Sequence, residues 1–317
     1  MTILVTGANG YVGNNTVRRL VEMGKPVRAL VRNMEKTHKR LGDVAEKIEI
    51  IQGDVADREG LKRAMNDVSA VIHTVAIALE TKGQTYEEVN YQGTINVVDA
   101  AEARGVKRFI NISQNAASSA SPYRFLKSKG RAQEYVASSR MAWTALRPSA
   151  IFGPQDEFFN SLARLMQLTP LVFPMIGGGT AQFQPVSVYD VVEASVRALD
   201  DNGTISKEFE LGGPEVLTLG EIEKRIAAVV GGARLYFPAP TWLLRLPVFI
   251  MEKTLPGAPV NGNLLDLLAV PNIVKDNALV SYFQMTPRAF AGENIAYLKN
   301  NSISATLRKF FRNATIN

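Results

Sequence analysis

The sequence opens with Thr2-Ile-Leu-Val-Thr6 and continues directly with Gly7-Ala-Asn-Gly10-Tyr-Val-Gly13. The first five residues are β-branched or apolar, which is typical of a buried strand. After the glycines, Val17, Leu20 and Val21 recur at helical spacing. A strand, a glycine turn and a helix in this order form the unit that accepts a dinucleotide pyrophosphate.

Each glycine of this loop has a separate role in such a site. Gly7 permits the tight turn out of the strand, Gly10 lets a pyrophosphate approach the backbone, and Gly13 lets the helix pack closely. The spacing is GxxGxxG rather than the common GxGxxG, so the flanking strand and helix carry the prediction. The helix N-terminus adds unpaired N–H groups and a positive dipole end. We predict that the cofactor is bound here by Gly7, Asn9, Gly10, Tyr11, Val12 and Gly13.

The composition excludes several classes of site. The 317 residues include no cysteine and only two histidines, His38 and His73, so disulfides, cysteine nucleophiles and a metal site are not expected. Residues 1–150 hold 22 Lys and Arg against 15 Asp and Glu, whereas residues 151–317 hold 14 against 15. The positive excess lies with the glycine loop, where an anionic cofactor binds, and no cluster of cations and aromatics indicates nucleic acid. Because the first strand begins at residue 2, we expect no signal peptide and a cytoplasmic protein.

The second strand, Val27 to Val31, ends at Arg32. An NAD site usually carries an acid near this position, where it binds the ribose 2′-hydroxyl. A guanidinium can instead bind a 2′-phosphate through two parallel hydrogen bonds. Arg32 therefore predicts that NADP(H) is favoured over NAD(H).

Further strands alternate with helices as far as Pro154. One long helix is predicted from about Tyr86 to Arg104, and His73 is predicted to be a packed core histidine. The alternation predicts an α/β fold with a doubly wound parallel Rossmann sheet. Ligands of such sheets bind beyond the carboxyl ends of the strands, where the sequence places Gly7, Arg32, Asp54 and Ser113.

The pattern changes after Pro154, and it predicts a smaller, mixed C-terminal domain on the substrate side. We assign residues 1–154 to the dinucleotide-binding domain, to which segments near 180–215 return, residues 155–298 to the smaller domain and residues 299–317 to a basic tail. Within the smaller domain, Thr218 and Glu221 predict a capping box at a helix start.

Several motifs together resemble the extended and atypical short-chain dehydrogenase/reductases, which include the NAD-dependent epimerases and dehydratases. They are Thr6-Gly-Ala-Asn-Gly-Tyr-Val-Gly13, Gly53-Asp54, Val89-Asn-Tyr-Gln-Gly-Thr94, Leu146-Arg-Pro148, Phe152-Gly-Pro154, Gln184-Pro-Val-Ser-Val-Tyr-Asp190 and Phe209-Glu-Leu-Gly-Gly-Pro214. The resemblance covers nearly the whole chain. Within the superfamily, the chain looks most like the NAD(P)H-binding accessory subunit of respiratory complex I and its bacterial relatives. The resemblance implies that Asp54, Val55 and Pro148 also bind the cofactor.

In that superfamily, catalysis uses a Ser or Thr at the end of the fifth strand and a Tyr-x-x-x-Lys pair on the next helix. Ser113 occupies the first position, and Tyr123 with Lys127 satisfies the spacing. The flanking residues instead fit the superfamily best with Lys129 as the ribose-binding lysine, which places Phe125 at the tyrosine position. Phenylalanine cannot relay a proton, so this second register implies cofactor binding without the usual chemistry.

Two functions therefore stay open at this point. The chain is either an NADP-binding protein with a structural or assembly role, like the complex I subunit, or an NADPH-dependent oxidoreductase or epimerase that uses Ser113, Tyr123 and Lys127.

The apolar run Trp242–Met251 and the tail 299–317 also predict a partner, either a protein complex or the cytoplasmic face of a membrane. The run is too short to span a bilayer. The tail carries Lys299, Arg308, Lys309 and Arg312 without an acid.

Overall fold

The computed structural model describes residues 2–81, 83–169, 171–231, 234–240, 242–243, 245, 248–249, 268 and 271–300. The strands are β1 (Thr2–Thr6), β2 (Val27–Val31), β3 (Glu49–Gln52), β4 (Val68–His73), β5 (Arg108–Ile112), β6 (Ala142–Pro148), β7 (Ile151–Phe152), β8 (Val172–Ile176), β9 (Gln182–Phe183), β10 (Val186–Ser187), β11 (Lys207–Leu211), β12 (Leu217–Thr218) and β13 (Leu235–Ala239). The helices are α1 (Tyr11–Glu22), α2 (Met34–Leu41), α3 (Arg58–Ala64), α4 (Gly93–Ala103), α5 (Arg124–Ser138), α6 (Phe158–Leu168), α7 (Val188–Asp200), α8 (Leu219–Val230) and α9 (Ala278–Ser281). Among these residues, no helix combines the length and the apolar character needed to cross a membrane.

Seven strands form one sheet in the order β11-β6-β5-β4-β1-β2-β3. Every neighbouring pair in it is parallel. β1 lies between β2 and β4. The order in which the chain adds strands to the sheet therefore reverses at β1, and ligands of open α/β sheets bind at such a reversal. The predicted doubly wound parallel sheet is confirmed.

Helices cover both faces of this sheet, which explains the continuous apolar runs of its strands. On one face, α3, α4 and α5 pack against one another and share a buried cluster with Leu4, Val71 and Phe109 of the strands. α1 packs against α7 and α2. The central strand is buried from both sides, and Leu4 and Val5 are completely inaccessible.

Local sequence signals set where several helices begin. Asn33 caps α2 by accepting the Lys36 N–H at 2.7 Å. The capping box predicted at Thr218 and Glu221 is confirmed at the start of α8. The helix predicted from Tyr86 to Arg104 starts with a π-helical segment, Glu87–Gln92, and continues as α4.

The internal contacts divide the chain into two compact units. The first comprises Met1–Pro148, Val188–Leu211 and Val274–Thr286, and it contains the seven-stranded sheet. The second comprises Ser149–Ser187, Gly212–Ile273 and Pro287–Asn317. Its strands form the two-stranded sheets β10–β7, β12–β9 and β13–β8.

The core of the second unit is aromatic. Phe152, Phe159 and Phe290 pack edge to face or tilted, with ring centroids 4.6–6.4 Å apart. Beside them, the buried Asp156 accepts hydrogen bonds from the Phe159 N–H at 2.6 Å and the Tyr297 hydroxyl at 2.8 Å. Burial raises the pKa of Asp156 to about 6 against the opposing effect of these donors. Asp156 thereby holds the segment around Tyr297 at the start of α6.

Candidate nucleotide-binding site

The glycine loop, Gly7–Gly13, is folded tightly onto itself. Gly7 has φ +70°, and its carbonyl accepts the Gly10 N–H at 2.7 Å. A Cβ at Gly13 would lie 2.2 Å from that same carbonyl oxygen, so no larger residue fits there without moving the loop. No side chain caps the start of α1, and the helix N-terminus presents its positive dipole end to an anion bound at the loop. The loop therefore fits a dinucleotide pyrophosphate.

A groove runs along the carboxyl ends of β1 to β4, next to this loop. The predicted cofactor-binding residues that line it are Gly7, Asn9, Gly10, Arg32, Asp54 and Val55. Tyr11, Val12 and Gly13 form the first turn of α1, and Pro148 ends β6, where its carbonyl accepts the Asn115 N–H at 2.9 Å. The groove brings the glycine loop and the turn after β2 to one place, as a nucleotide requires.

Arg32 and Asp54 face each other across the groove. The Arg32 Nε lies 3.7 Å from the Asp54 Oδ2, and the two side chains are 55% and 41% exposed. An ion pair this exposed contributes at most about 1 kcal/mol. Arg32 can therefore leave Asp54 for a stronger anion at little cost.

Two residues that the sequence analysis did not single out shape the wall of this groove. The Thr74 hydroxyl donates to the Thr6 carbonyl at 2.7 Å and packs against the positions of Gly7 and Gly13. The buried Asn90 accepts the Ile77 N–H at 2.8 Å and donates to its carbonyl at 3.1 Å. Asn90 stands in the quoted motif Val89–Thr94, which was the available signal, whereas nothing in the sequence marks Thr74.

β5 is the neighbour of β4 in the sheet, and after it lies the β5–α5 corner, which consists of Ser113, Phe125 and Lys129. Ser113 follows β5, and its buried hydroxyl has no hydrogen-bond partner among the described residues. The Lys129 Nζ donates to the Ile112 carbonyl at 2.9 Å, one residue from Ser113. Burial lowers the pKa of Lys129 to about 8. The structure thus brings Ser113 and Lys129 together.

The pair Tyr123 and Lys127, which satisfies the Tyr-x-x-x-Lys spacing literally, lies differently. Tyr123 is the N-cap residue of α5 with an extended backbone, and Lys127 is exposed to solvent. Phe125, four residues before Lys129 and on the same side of the helix, packs against the ring of Tyr86 with centroids 5.6 Å apart. The residue whose position relative to the buried lysine matches a Tyr-x-x-x-Lys pair is therefore a phenylalanine.

A protein-family model described as NAD(P)H-binding matches residues 7–164. A subunit of mitochondrial NADH dehydrogenase from Arabidopsis thaliana, alpha subcomplex subunit 9, is 30% identical over 308 residues, which cover 93% of this chain and 76% of the relative. The chain belongs to the NAD(P)H-binding family of this complex I subunit. The family lies among the atypical short-chain dehydrogenase/reductases, so the resemblance identified in the sequence is confirmed.

Other similar proteins are named as enzymes. A reductase from Streptomyces griseus, named for (4-alkanoyl-5-oxo-2,5-dihydrofuran-3-yl)methyl phosphate, is 30% identical over 230 residues, which cover 72% of this chain and 74% of the relative. The structure of a UDP-glucuronic acid 4-epimerase from Bacillus cereus with UDP-glucuronic acid and NAD has a TM-score of 0.71. It is 16% identical and covers 97% of this chain and 100% of that chain, which supports the fold alone.

His73 packs in the core of the first unit. It is 1% exposed, and its ring nitrogens contact the hydroxyls of Thr6 at 2.7 Å and Thr94 at 3.0 Å. Burial, followed by the charge of Lys129, lowers the pKa of His73 to about 3. The prediction of a packed core histidine is confirmed. Within the described ranges, no group of three or more His, Asp or Glu side chains is arranged to hold a metal ion.

The predicted partner surface lies partly outside the described residues. The tail from residue 301 onward is outside them, as is about half of the run Trp242–Met251. Of the described residues of that run, Val248 is buried, whereas Trp242, Leu243 and Phe249 are exposed.

Proposed function

We propose that this protein binds NADP(H) at the glycine loop without the proton relay of the superfamily's enzymes, and that it serves a structural or assembly role in a protein complex. The observation that carries this proposal is Phe125, which stands four residues before the buried Lys129. In this arrangement Lys129 and Ser113 hold the nicotinamide ribose, but position 125 carries no phenol that could transfer a proton.

The preference for NADP(H) rests on Arg32. Its guanidinium lies at the carboxyl end of β2 in a weak, exposed pair with Asp54. A 2′-phosphate offers three oxygens and about two negative charges to the same donors. When the cofactor is bound, it supplies a reduced nicotinamide, and the residues of the chain fix its ribose and phosphates.

The role in a complex is supported by the family. The Arabidopsis thaliana relative is named as a subunit of NADH dehydrogenase. We propose that the second unit, which includes most of the predicted substrate-side domain 155–298, faces the partner rather than a small substrate.

The experiment that tests this proposal measures bound nucleotide and turnover in the same preparation. The purified protein is denatured, and the released nucleotide is identified by chromatography. The intact protein with NADPH is then mixed with a panel of carbonyl compounds while the absorbance of the reduced nicotinamide is followed. We expect NADP(H) to be released and no carbonyl to be reduced. Release of NAD(H), or steady NADPH oxidation with one carbonyl, contradicts the proposal.

A second function is an active NADPH-dependent oxidoreductase or epimerase/dehydratase that uses Ser113, Tyr123 and Lys127. It is favoured by the literal spacing of Tyr123 and Lys127 and by the reductase from Streptomyces griseus. Tyr123→Phe distinguishes the two functions, since it abolishes turnover only if Tyr123 relays the proton. Phe125→Tyr is the matched variant, and it restores a phenol only in the register of Lys129.

The predicted membrane-surface partner is supported by an exposed apolar face of the second unit. β13 and β8 pair so that Leu235 lies opposite Val172, and these side chains are 74% and 45% exposed. Leu171 and Trp242 are 76% and 72% exposed. Exposed aromatic and aliphatic side chains suit the interface of a bilayer, and the cations in the sequence of the tail suit an anionic surface. We propose a peripheral position at the cytoplasmic face of a membrane.

Co-sedimentation with vesicles tests this position. The full-length protein and a form ending at Leu298 are mixed with anionic or neutral phospholipid vesicles at low and high salt. We expect only the full-length protein to sediment strongly, and only with anionic vesicles at low salt. Equal recovery of both forms in the supernatant removes the support for a membrane partner.

A further inference from the structure

The glycine loop is connected to α2 through one residue, Asn9. The Asn9 side-chain Nδ2 donates to the Thr37 hydroxyl at 3.0 Å. Its backbone carbonyl accepts a hydrogen bond from the Arg40 Nη1 at 3.1 Å. Both partners lie on α2, about 30 residues after the loop, and neither contact follows from the motif.

The two partners on α2 are themselves held in place. Thr37 is completely buried, and its hydroxyl donates to the Asn33 carbonyl at 2.6 Å while it accepts from Asn9. The Arg18 Nη2 donates to the carbonyls of Arg40 at 2.7 Å and Leu41 at 3.1 Å. This contact satisfies carbonyls at the end of α2 that have no partner within the helix.

Arg40 has donors beyond the one that Asn9 uses. Its side chain is half-buried, and its Nε and Nη2 groups have no hydrogen-bond partner among the described residues. The positive charge therefore lies beside the loop that receives the pyrophosphate, with donor capacity left.

α2 also begins two residues after Arg32. A helix of eight residues is about 12 Å long. Its first end positions the residue that we propose to bind the 2′-phosphate, and its last turn holds the loop that binds the pyrophosphate. α2 therefore contacts the glycine loop independently of any phosphate bound by Arg32.

We propose that Arg40, with Thr37, is a positioning residue for the cofactor. It holds the Asn9 carbonyl away from the pyrophosphate and keeps the glycine loop in its binding conformation. This inference rests on nucleotide binding at the glycine loop, but it does not depend on whether NADP(H) or NAD(H) is preferred. Because Arg40 acts through the loop, it contributes to both cofactors equally, whereas Arg32 contributes to NADP(H) alone.

The test compares Arg40→Gln with Lys39→Gln, which removes the same charge from the exposed neighbouring residue. Dissociation constants are measured for NADPH, NADH and adenosine 2′-monophosphate, which carries the phosphate for Arg32 but nothing for the glycine loop. We expect Arg40→Gln to raise the dissociation constants of NADPH and NADH by the same factor, about three- to tenfold. Binding of adenosine 2′-monophosphate should be unchanged, and Lys39→Gln should change none of the three.

Two further variants distinguish a specific effect on the loop from a general loss of folding. Arg40→Lys keeps one donor for the Asn9 carbonyl and should recover part of the affinity. Thr37→Val keeps the shape of the side chain, removes the acceptor for Asn9, and should weaken both cofactors in the same ratio. Unchanged affinities in Arg40→Gln overturn the proposal. Weaker binding of NADPH and adenosine 2′-monophosphate with unchanged binding of NADH also overturns it, because Arg40 would then bind the 2′-phosphate directly. If the wild-type protein binds NADPH and NADH equally, the preference assigned to Arg32 is wrong while the role of Arg40 is still measured.

Discussion

The glycine loop and the β5–α5 corner lie along the same row of strand ends, but they differ in completeness. At the glycine loop, the backbone turn, the close packing at Gly13 and a cation at Arg32 are all present. At the β5–α5 corner, Ser113 and Lys129 are buried, and Phe125 stands four residues before Lys129, where our proposal expects a proton-relaying phenol in an active enzyme.

This difference separates binding from chemistry. Binding a dinucleotide depends on backbone geometry and charge spread over many residues, whereas proton transfer depends on a single hydroxyl at one position. The loss of one oxygen atom can therefore end catalysis while the fold and the cofactor site are kept. Fold alone does not establish activity, even within a family of oxidoreductase-like proteins.

The largest effect is expected at Gly13. In Gly13→Ala, the new Cβ would lie 2.2 Å from the Gly7 carbonyl oxygen, so the loop must move out of its binding geometry. We expect binding of both NADPH and NADH to fall by about a hundredfold or more. Calorimetric titration measures this loss. Gly24→Ala is the control for a loss of stability that arises outside the loop, because its φ of +67° strains a side chain although no atom lies within 4 Å of the new Cβ. Equal weakening in both variants would mean that the effect does not arise in the loop.

The next effect concerns the stability of the β5–α5 corner. Burial lowers the pKa of Lys129 from 10.5 to about 8. Below about pH 8 both the folded and the unfolded states carry the proton, and the folded state bears the full cost of a buried ammonium group. Between about pH 8 and 10.5 only the unfolded state keeps it, so the free energy of unfolding rises with pH. Across this window, the free energy of unfolding of the wild-type protein should rise by about 3 kcal/mol relative to that of Lys129→Met.

Chemical denaturation of the cofactor-free protein at several pH values measures that gain. Lys127→Met is the matched variant, since Lys127 is exposed on the same helix. The difference in the free energy of unfolding between Lys127→Met and the wild-type protein should stay constant over this pH window. A constant difference for Lys129→Met as well would show that Lys129 is not buried as an ammonium group.

A smaller effect is expected at Arg32. Arg32→Ala removes charge-assisted hydrogen bonds to a 2′-phosphate, which contribute about 1.5–3 kcal/mol. NADPH should bind roughly ten- to hundredfold more weakly, while NADH is little changed. Fluorescence titration with both cofactors checks the ratio, and the exposed Lys47→Ala serves as a charge control. An unchanged preference for NADPH would show that another residue recognises the phosphate.

The smallest effect distinguishes the two lysines of α5 as cofactor contacts. Lys129→Ala removes one hydrogen bond to the nicotinamide ribose and should weaken NADPH by about two- to tenfold. Lys127→Ala should leave the dissociation constant within experimental error. The opposite pattern would restore the pair Tyr123 and Lys127 and, with it, the active enzyme.

Local signals in the sequence determined much of this protein. The β-branched run before Gly7 predicts the central strand, the glycines predict the turn and the close helix packing, and Thr218 with Glu221 predicts the start of α8. These features depend on residues within a few positions of one another, so sequence spacing is sufficient to find them.

Only the tertiary structure decided the remaining features of the site and the core. These features depend on contacts between residues that are distant in the chain, or on which side of a helix faces the core. Lys127 and Lys129 lie about 200° apart around α5, so only one can face the sheet, and packing selects Lys129. The contact of Arg40 with Asn9 joins residues from two elements that no motif links. In the second unit, burial of Glu223 on α8 raises its pKa to about 8 against the opposing Ile176 N–H, although the sequence shows only an ordinary helical glutamate. Each of these features arises from desolvation or contact in the folded chain, which composition and periodicity do not specify.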